Sequence, residues 1–546
     1  MKNRIAIVII LLISLVAADT TISAATGNAM SISKKKNILF VPLDNRPITS
    51  EQTVDSVAKL GYNVLTPPKE YLGTKSFFGD PDGLWNWLEQ TTDENRDSIA
   101  AIVLSCDSMI YGSLVASRMH DFSNEILTER VRRFVDFHDK FPEIKIYAYS
   151  SIMRTLRFVE SGVENKNYEK LGDKFFRYTV LLDKKELGLC NYNEKLEFMK
   201  LRVNLPMDLL NNWMVIRTRN FMVNRQLIML ANLGYLSFLG IGRDDNAPFS
   251  QTHRESRRLN EYAEKLVLDN FENLAGLDEY GLVMLMRAIN DANNEKPAIF
   301  VEYNKGVGGD TIPMFSDEPV KNTIKKQISV IGGVEVDSPE KADLVLLVNT
   351  PEDGKSINHY LVSLAEEVKE SDSQRKNRAK QVSSALNFVK LLEKYVVKGY
   401  KIAVADIAHP NGSDDALVNN LRIRRLLFKL NAYAGWNTAT NSTGFALAQG
   451  LIANKLDVKS RTELLLVRYI DDWIYQRIVR TVIMKDLAKV GSRYIWEFGD
   501  KKELIEEDIN DLMRAAILGC LPPFEILDGV SFTNPWNRMF ETDISF

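Results

Sequence analysis

Asn37-Ile38-Leu39-Phe40-Val41 runs straight into Pro42-Leu43-Asp44-Asn45-Arg46-Pro47, an apolar stretch that ends on an acid, an amide and a base between two prolines. The stretch is too short for a helix, and its unbroken apolar character is that of a strand covered on both faces of a parallel sheet. The pattern recurs. Ile102-Val103-Leu104 leads into Ser105-Cys106-Asp107, residues 235–241 lead into Gly242-Arg243-Asp244-Asp245-Asn246, and residues 402–405 lead into Asp406. In an open parallel α/β sheet, ligands bind outside the carboxyl ends of the strands. One Asp after a strand is an ordinary helix cap. Acids delivered repeatedly to one edge, mixed with Arg, Asn and Trp, point to a site.

Outward from this stretch the chain alternates strand-like and helix-like segments. Strands read at 38–41, 63–65, 100–104, 144–149 and 235–241. Helices read from about residue 50, then at 84–90, 126–141, 168–233 with breaks near Cys190 and Pro206, and 254–273. A second series has strands at 298–303, 334–336, 344–348 and 401–405, with helices at 320–330, 376–397 and 415–428. From about Tyr433 the chain reads as mainly helical, ending in a tail rich in proline and aromatic residues. The expected class is α/β: two parallel-sheet units, 37–290 and 296–430, and a mainly helical C-terminal region, 431–546. No internal repeat is visible.

The 546 residues are 45% hydrophobic and 26% charged, an ordinary globular composition with ample side chain for large cores. The formal net charge of −3 argues against a general nucleic-acid binder. Lys2 and Arg4 precede an apolar run, residues 5–17, and small residues follow at Ser23-Ala24-Ala25. This is the layout of a secretory signal peptide over residues 1–25, and the run is too short to favour a stable transmembrane anchor. Cys106, Cys190 and Cys520 are the three cysteines, too few for a disulfide scaffold. The expected location is outside a bacterial cell, secreted or at the cell surface.

Four segments carry the chemistry. The prolines of Pro42–Pro47 stiffen a loop that presents Asp44 and Arg46. After residues 100–104, Asp107 stands ready as an acid or base, Tyr111 as a ring for sugar stacking, and Gly112 as a point where a ligand nears the backbone. Arg118 and Arg154 follow. Asp244 and Asp245 form the densest acidic signal, where Arg243 can orient one carboxylate and leave the other free. Two carboxyls in unequal surroundings split acid and base roles, and glycosidases place such a pair roughly 5–10 Å apart. Asp278-Glu279 opens a helix and reads first as a cap. In the second series, Asn411, Asp414, Trp436 and Asn437 supply the amide, acid and aromatic groups that suit a polyhydroxylated ligand. Asp414 also reads as a helix cap, and Asp471-Asp472 as residues packed on a helix.

Other chemistries lack their patterns. The five histidines are not paired at zinc-ligand spacing, and Walker A, G-x-S-x-G and EF-hand patterns are missing. Gly306-Val307-Gly308-Gly309 does not fit a dinucleotide fingerprint. No metal and no cofactor is expected.

The chain also resembles a family of bacterial secreted proteins of unknown function. The resemblance rests on Val41-Pro42-Leu43-Asp44-x-Arg46-Pro47, Tyr111-Gly112-x-Leu114-Val115-x-Ser117-Arg118, Asp244-Asp245-x-Ala247-Pro248 and Asp278-Glu279. It continues through Pro410-Asn411-Gly412-x-Asp414, Ala432-Tyr433-Ala434-Gly435-Trp436-Asn437-Thr438 and Asp472-Trp473-x-Tyr475-Gln476. Two positions depart from the family pattern: Ser113 stands where a glycine is expected, and Leu277 where an alanine is expected. The resemblance implies one full-length architecture and no activity.

The functional expectation is a carbohydrate-active hydrolase, a glycosidase working on an extracellular or cell-wall glycan. Asp107, Asp244 and Asp245 are the catalytic candidates. Asp44, Arg46, Tyr111, Arg118, Arg154, Asn411, Asp414, Trp436 and Asn437 are the substrate-positioning candidates. The same residue types suit a non-catalytic glycan- or solute-binding protein holding its ligand between the two units. A metal-dependent hydrolase with oxygen ligands is the third possibility.

Overall fold

Strand β1 (Asn37–Val41) is buried at every position, and it pairs in parallel with β2 (Asn63–Leu65) and β3 (Ile99–Ser105). Strands β4 (Ile146–Ile152), β5 (Phe238–Arg243) and β6 (Phe271–Ala275) extend the sheet, all parallel, in the order β2-β1-β3-β4-β5-β6. The structure is a computed structural model that describes residues 36–155, 163, 164, 166–356 and 372–546; the expected signal peptide, residues 1–25, lies outside the described residues.

The second sheet is also wholly parallel. It contains β7 (Ala298–Tyr303), β8 (Val334–Glu335), β9 (Leu344–Asn349), β10 (Ile402–Asp406) and β11 (Ala432–Ala434), in the order β11-β10-β9-β7-β8. Read from its other edge, this is the order of the first sheet's first five strands. In each sheet the first strand lies between the second and the third, which creates a topological switch point at β1/β3 and at β7/β9. The shared order was invisible as a sequence repeat because topology constrains apolar periodicity, not residue identity.

One core joins the sheets. Ile38, Phe40 and Val103 of the first and Leu344, Leu346 and Ala403 of the second belong to the same buried cluster, with the helices Tyr280–Asn293 and Ala439–Ala453 between them. Every residue of Ala439–Ala453 is buried, its C-terminal part apolar and its polar first turn satisfied by hydrogen bonds such as that of Asn441 to Glu279. The opposite face of the first sheet is covered by Pro81–Asn95, Asn124–Lys140, Met207–Asn232 and Gln251–Leu266, whose apolar stripes supply a second core. The C-terminal helices pack on the outer face of the second sheet.

The two parallel sheets establish the expected α/β class. Two strands of the parallel sheets differ from the sequence expectation. The apolar spacing predicts a helix over 254–273, yet the helix stops at Leu266 and β6 follows. This strand lies at the sheet edge, and its Glu272 and Asn273 break the apolar run. Strand β11 is three residues long, too short to show a period. The tail adds a small antiparallel pair, β12 (Ser531–Thr533) and β13 (Asp543–Ser545).

Gly112 ends the short helix Cys106–Tyr111 in the left-handed region, at φ 107°. A Cβ there would overlap the carbonyl oxygen of Phe78, so the close approach is by this protein's own backbone and not by a ligand. We expect Gly112→Ala to destabilise the protein by about 1–3 kcal/mol through this overlap, with further strain from the backbone angle. Urea denaturation measures it, and a change below about 0.5 kcal/mol would place the constraint elsewhere.

Candidate functional site

The loop after β1 is built around a buried ion triad. Asp44 Oδ1 accepts hydrogen bonds from Arg46 N at 3.1 Å and Thr49 Oγ1 at 2.7 Å, and Arg46 Nε reaches both oxygens of Asp44 at 3.0 and 2.9 Å. Arg46 Nη2 also meets Asp278 Oδ1 at 2.7 Å, linking the carboxyl ends of β1 and β6. Asp44 therefore fixes the loop through Arg46. The helix Tyr280–Asn293 has no side-chain cap, so the capping role expected of Asp278-Glu279 gives way to this pairing. Trp536, from the tail, donates from Nε1 to Asn45 Oδ1 at 2.7 Å, and the Arg46 guanidinium lies over its ring at 5.3 Å.

The end of β3 is stitched to its neighbours. Ser108 Oγ donates to the carbonyls of Pro42 and Leu43 at 2.6 and 3.0 Å. Asp107 is fully enclosed, with Oδ2 bonded to Ser151 N at 2.9 Å and Oδ1 to Ser151 Oγ at 2.6 Å. Burial pushes its carboxyl up to about 6. It braces β3 against β4 and faces no solvent. Tyr111 is buried and stacked on His120 at 4.9 Å between ring centroids, so its expected sugar-stacking face is turned into the core.

At the end of β5, Arg243 turns away from the acids that follow it. It pairs with Asp317 at 3.0 Å and Glu318 at 2.9 Å, which corrects its expected role beside Asp244 or Asp245. The partners of those acids come from far earlier in the chain. Arg118 Nη2 meets Asp244 Oδ2 at 2.5 Å, and Arg154 Nη1 meets Asp245 Oδ2 at 3.3 Å. Glu164 lies between the two arginines, 2.6 Å from Arg154 Nε and 3.6 Å from Arg118 Nη1. Asp245 keeps the most solvent contact of this set, with its side chain 23% exposed against 12% for Asp244 and for Asp278. Burial, reinforced by Asp244, pushes Asp245 up to about 6. Asp278 is raised too, by burial and by Asp44 and Asp244.

A polar chain continues to the second sheet. Glu279 is buried, and its Oε2 accepts from Leu277 N at 3.0 Å and Asn441 Nδ2 at 2.8 Å. Burial and neighbouring Asp278 push it up to about 7. Asn441 Oδ1 accepts from Asn437 Nδ2 at 3.2 Å, and Asn437 O accepts from Asn411 N at 2.6 Å. Asn411 and Asn437 are half-buried, and both hold left-handed backbone, at φ 60° and 54°. Trp436 is a packed side chain, edge-on to Phe540 at 5.8 Å, and its ring lies in the core.

Beyond them lies a fully occupied acid group. Asp406 accepts from Asn349 Nδ2, Tyr433 OH and Asp414 N at 2.9, 2.7 and 2.7 Å. Asp414 caps the helix Asp415–Ile423 through Ala416 N at 2.9 Å. Asp472 accepts from Gly435 N at 2.7 Å and Arg468 Nη1 at 3.0 Å. Asp471 and Asp472 lie on Tyr469–Val479, a π-helical stretch of a kind frequent at functional sites. Burial raises Asp406, Asp414 and Asp472 to about 7, 6 and 7.

The structure thus brings Asp44, Arg46, Arg118, Arg154, Asp244 and Asp245 to the strand ends of the first sheet; Arg46 reaches Asp278, whose neighbour Glu279 leads through Asn441 to Asn437 and Asn411. Sequence reasoning missed Glu164, gave Trp536 no role, and undervalued Asp278; Asn441, expected in a ligand-binding loop with Trp436, lies on the helix Ala439–Ala453. The Asp278-Glu279 pair was the available signal, since two acids after an unrecognised strand repeat the pattern of Asp244-Asp245. Among the described residues, no three His, Cys, Asp or Glu side chains are grouped so as to hold a metal ion.

The chain is an α/β protein with two parallel sheets and an acid- and arginine-lined strand edge. Residues 38–545 match the family described as Protein of unknown function (DUF4127), and the chain belongs to that family. No curated protein and no solved structure matches it.

The raised acids set the pH response. Each keeps its proton in the folded chain where the unfolded chain, titrating near about 4, has released it. Stability then falls as pH rises from about 4 towards about 7 and levels off above. His120, lowered by burial, works in the opposite sense as a single group. We expect the melting temperature to be higher at about pH 5 than at about pH 7.5, and Glu279→Gln to flatten that slope. A melting temperature that climbs across the window would contradict these protonation states.

Proposed function

We propose that the protein is a carbohydrate-active hydrolase acting on an extracellular or cell-wall glycan, with Asp245 as general acid and Asp244, clamped by Arg118, as the second carboxyl. The observation that carries this reading is the unequal environment of the adjacent carboxyls. Asp244 is clamped by Arg118 at 2.5 Å, while Asp245 is more open and raised to about 6. A more open carboxyl raised towards neutrality beside one held closer to its arginine is the kind of inequality that glycoside cleavage uses. Arg46, Arg154, Asn411 and Asn437 would orient the sugar. Asp107 and Asp44 would hold the strand ends that present these groups.

The continuous polar chain from Asp278-Glu279 to Asn411 supports one other reading, a protein that holds a glycan across both strand edges without cleaving it. Chromogenic glycosides and cell-wall glycans, tested with and without divalent metal, separate the two. We expect Asp245→Asn to lower kcat/KM on a responsive substrate by on the order of 10²-fold or more, with glycan binding and melting temperature retained. Activity kept by both Asp245→Asn and Asp244→Asn would remove the site assignment. A glycan that binds tightly and is never cleaved would establish the binding role.

The same proposal places the protein outside the cell, on the strength of its basic, apolar and small-residue N-terminal pattern. Mass spectrometry of the protein from its native host should find a start near Thr26. An intact Met1 terminus in the cytoplasm would end that part of the proposal.

A further inference from the structure

Between β4 and β5 the chain inserts three helices, Lys166–Glu186, Tyr192–Asn204 and Met207–Asn232. The middle one packs mainly on Lys166–Glu186, through Phe198 against Tyr178 at 5.1 Å between ring centroids. Its other side is also apolar. Tyr192, Leu196, Met199 and Val203 recur at intervals of four, three and four, and at 3.6 residues per turn they fall within an arc of about 60°. They are exposed at 75%, 36%, 54% and 83%. Leu187 and Leu189, just before the helix, are exposed as well.

The charges of this helix are sorted by face. Glu194 and Glu197 lie towards the inner side and are paired with Lys184 at 2.5 Å and Arg177 at 2.7 Å. Lys195 and Arg202 border the apolar stripe on one flank and Lys200 on the other. All three are exposed and have no ion pair among the described residues. A second copy of the helix laid on the stripe, parallel or antiparallel, would set base against base. The flanks call instead for an extended negative surface, with the stripe for its apolar layer.

We propose that this helix docks the protein on a bilayer containing anionic phospholipid, with the four-residue stripe in the acyl boundary and Lys195, Lys200 and Arg202 among the headgroups. Tyr192 at the end of the stripe suits the interfacial level. The proposal is independent of the catalytic reading.

Vesicle co-sedimentation of the full chain tests it. Three bases near an anionic surface should favour phosphatidylglycerol-containing vesicles over pure phosphatidylcholine by on the order of 10²-fold. Lys195→Gln/Lys200→Gln/Arg202→Gln should abolish that preference. Leu196→Ser/Met199→Ser/Val203→Ser should weaken binding to both vesicle types by about tenfold or more. The altered side chains are at the surface, so an unchanged melting temperature should accompany both triple variants. Three results would overturn the proposal: vesicle binding that is absent or insensitive to both variants, a dimer in solution that the serine variant dissolves, or preference for a soluble polyglutamate over the vesicles.

Discussion

A guanidinium with almost no water around it governs the architecture of the site. Arg46 is 5% exposed and is shared between Asp44 on its own loop and Asp278 at the far edge of the sheet. Removing such charges from water is costly unless partners and hydrogen bonds replace the hydration shell. The replacement here comes from three places: the β1 loop, the end of β6 and the tail, whose Trp536 lies against the guanidinium. The loop, the strand edge and the C-terminus are thereby required to meet. The prolines on either side of the loop reduce the entropy lost when they do.

From this triad the chemistry of the edge follows. Arg46, Arg118 and Arg154 do not neutralise all the carboxyls assembled around them, and burial disfavours the charge that remains. Protonation of Asp245 and Glu279 near neutral pH relieves it. The same compensation operates around Asp406 and Asp472 in the second sheet. Glu279 at the end of the first sheet is joined by hydrogen bonds through Asn441 to Asn437 and Asn411 of the second, while the two sheets share an apolar core. The core fixes the distance between the sheets, and the polar chain uses it.

Much of the fold was legible from residue order alone. Strands at 63–65 and 298–303 read as they fold, and the breaks at Cys190 and Pro206 separate the three inserted helices. Strands β4 and β5 lie two or three residues further along than the apolar runs implied, because the sheet ends its ladder at serines and a charged residue that can still pair through their backbones. The loop motifs were legible as well, since proline, glycine and aspartate after an apolar run have local causes. The partners of each charged side chain were not. Arg243 is next to Asp244 in sequence yet bonds Asp317, while Arg118, 126 residues away, takes Asp244.

Residue order sufficed to show that strands alternate with helices, that acids and arginines stand at the strand ends, and that three cysteines make no disulfide scaffold. These depend on short-range periodicity and composition, which neighbouring residues settle. Only the tertiary structure decided that Asp107, Tyr111 and Trp436 are enclosed, that Asp278 belongs with Arg46, and that Trp536 reaches back to Asn45. It also decided which carboxyls burial raises towards neutrality. Burial and pairing are properties of the packed sheet edge, where residues hundreds of positions apart share a few ångströms, and no local pattern encodes that proximity.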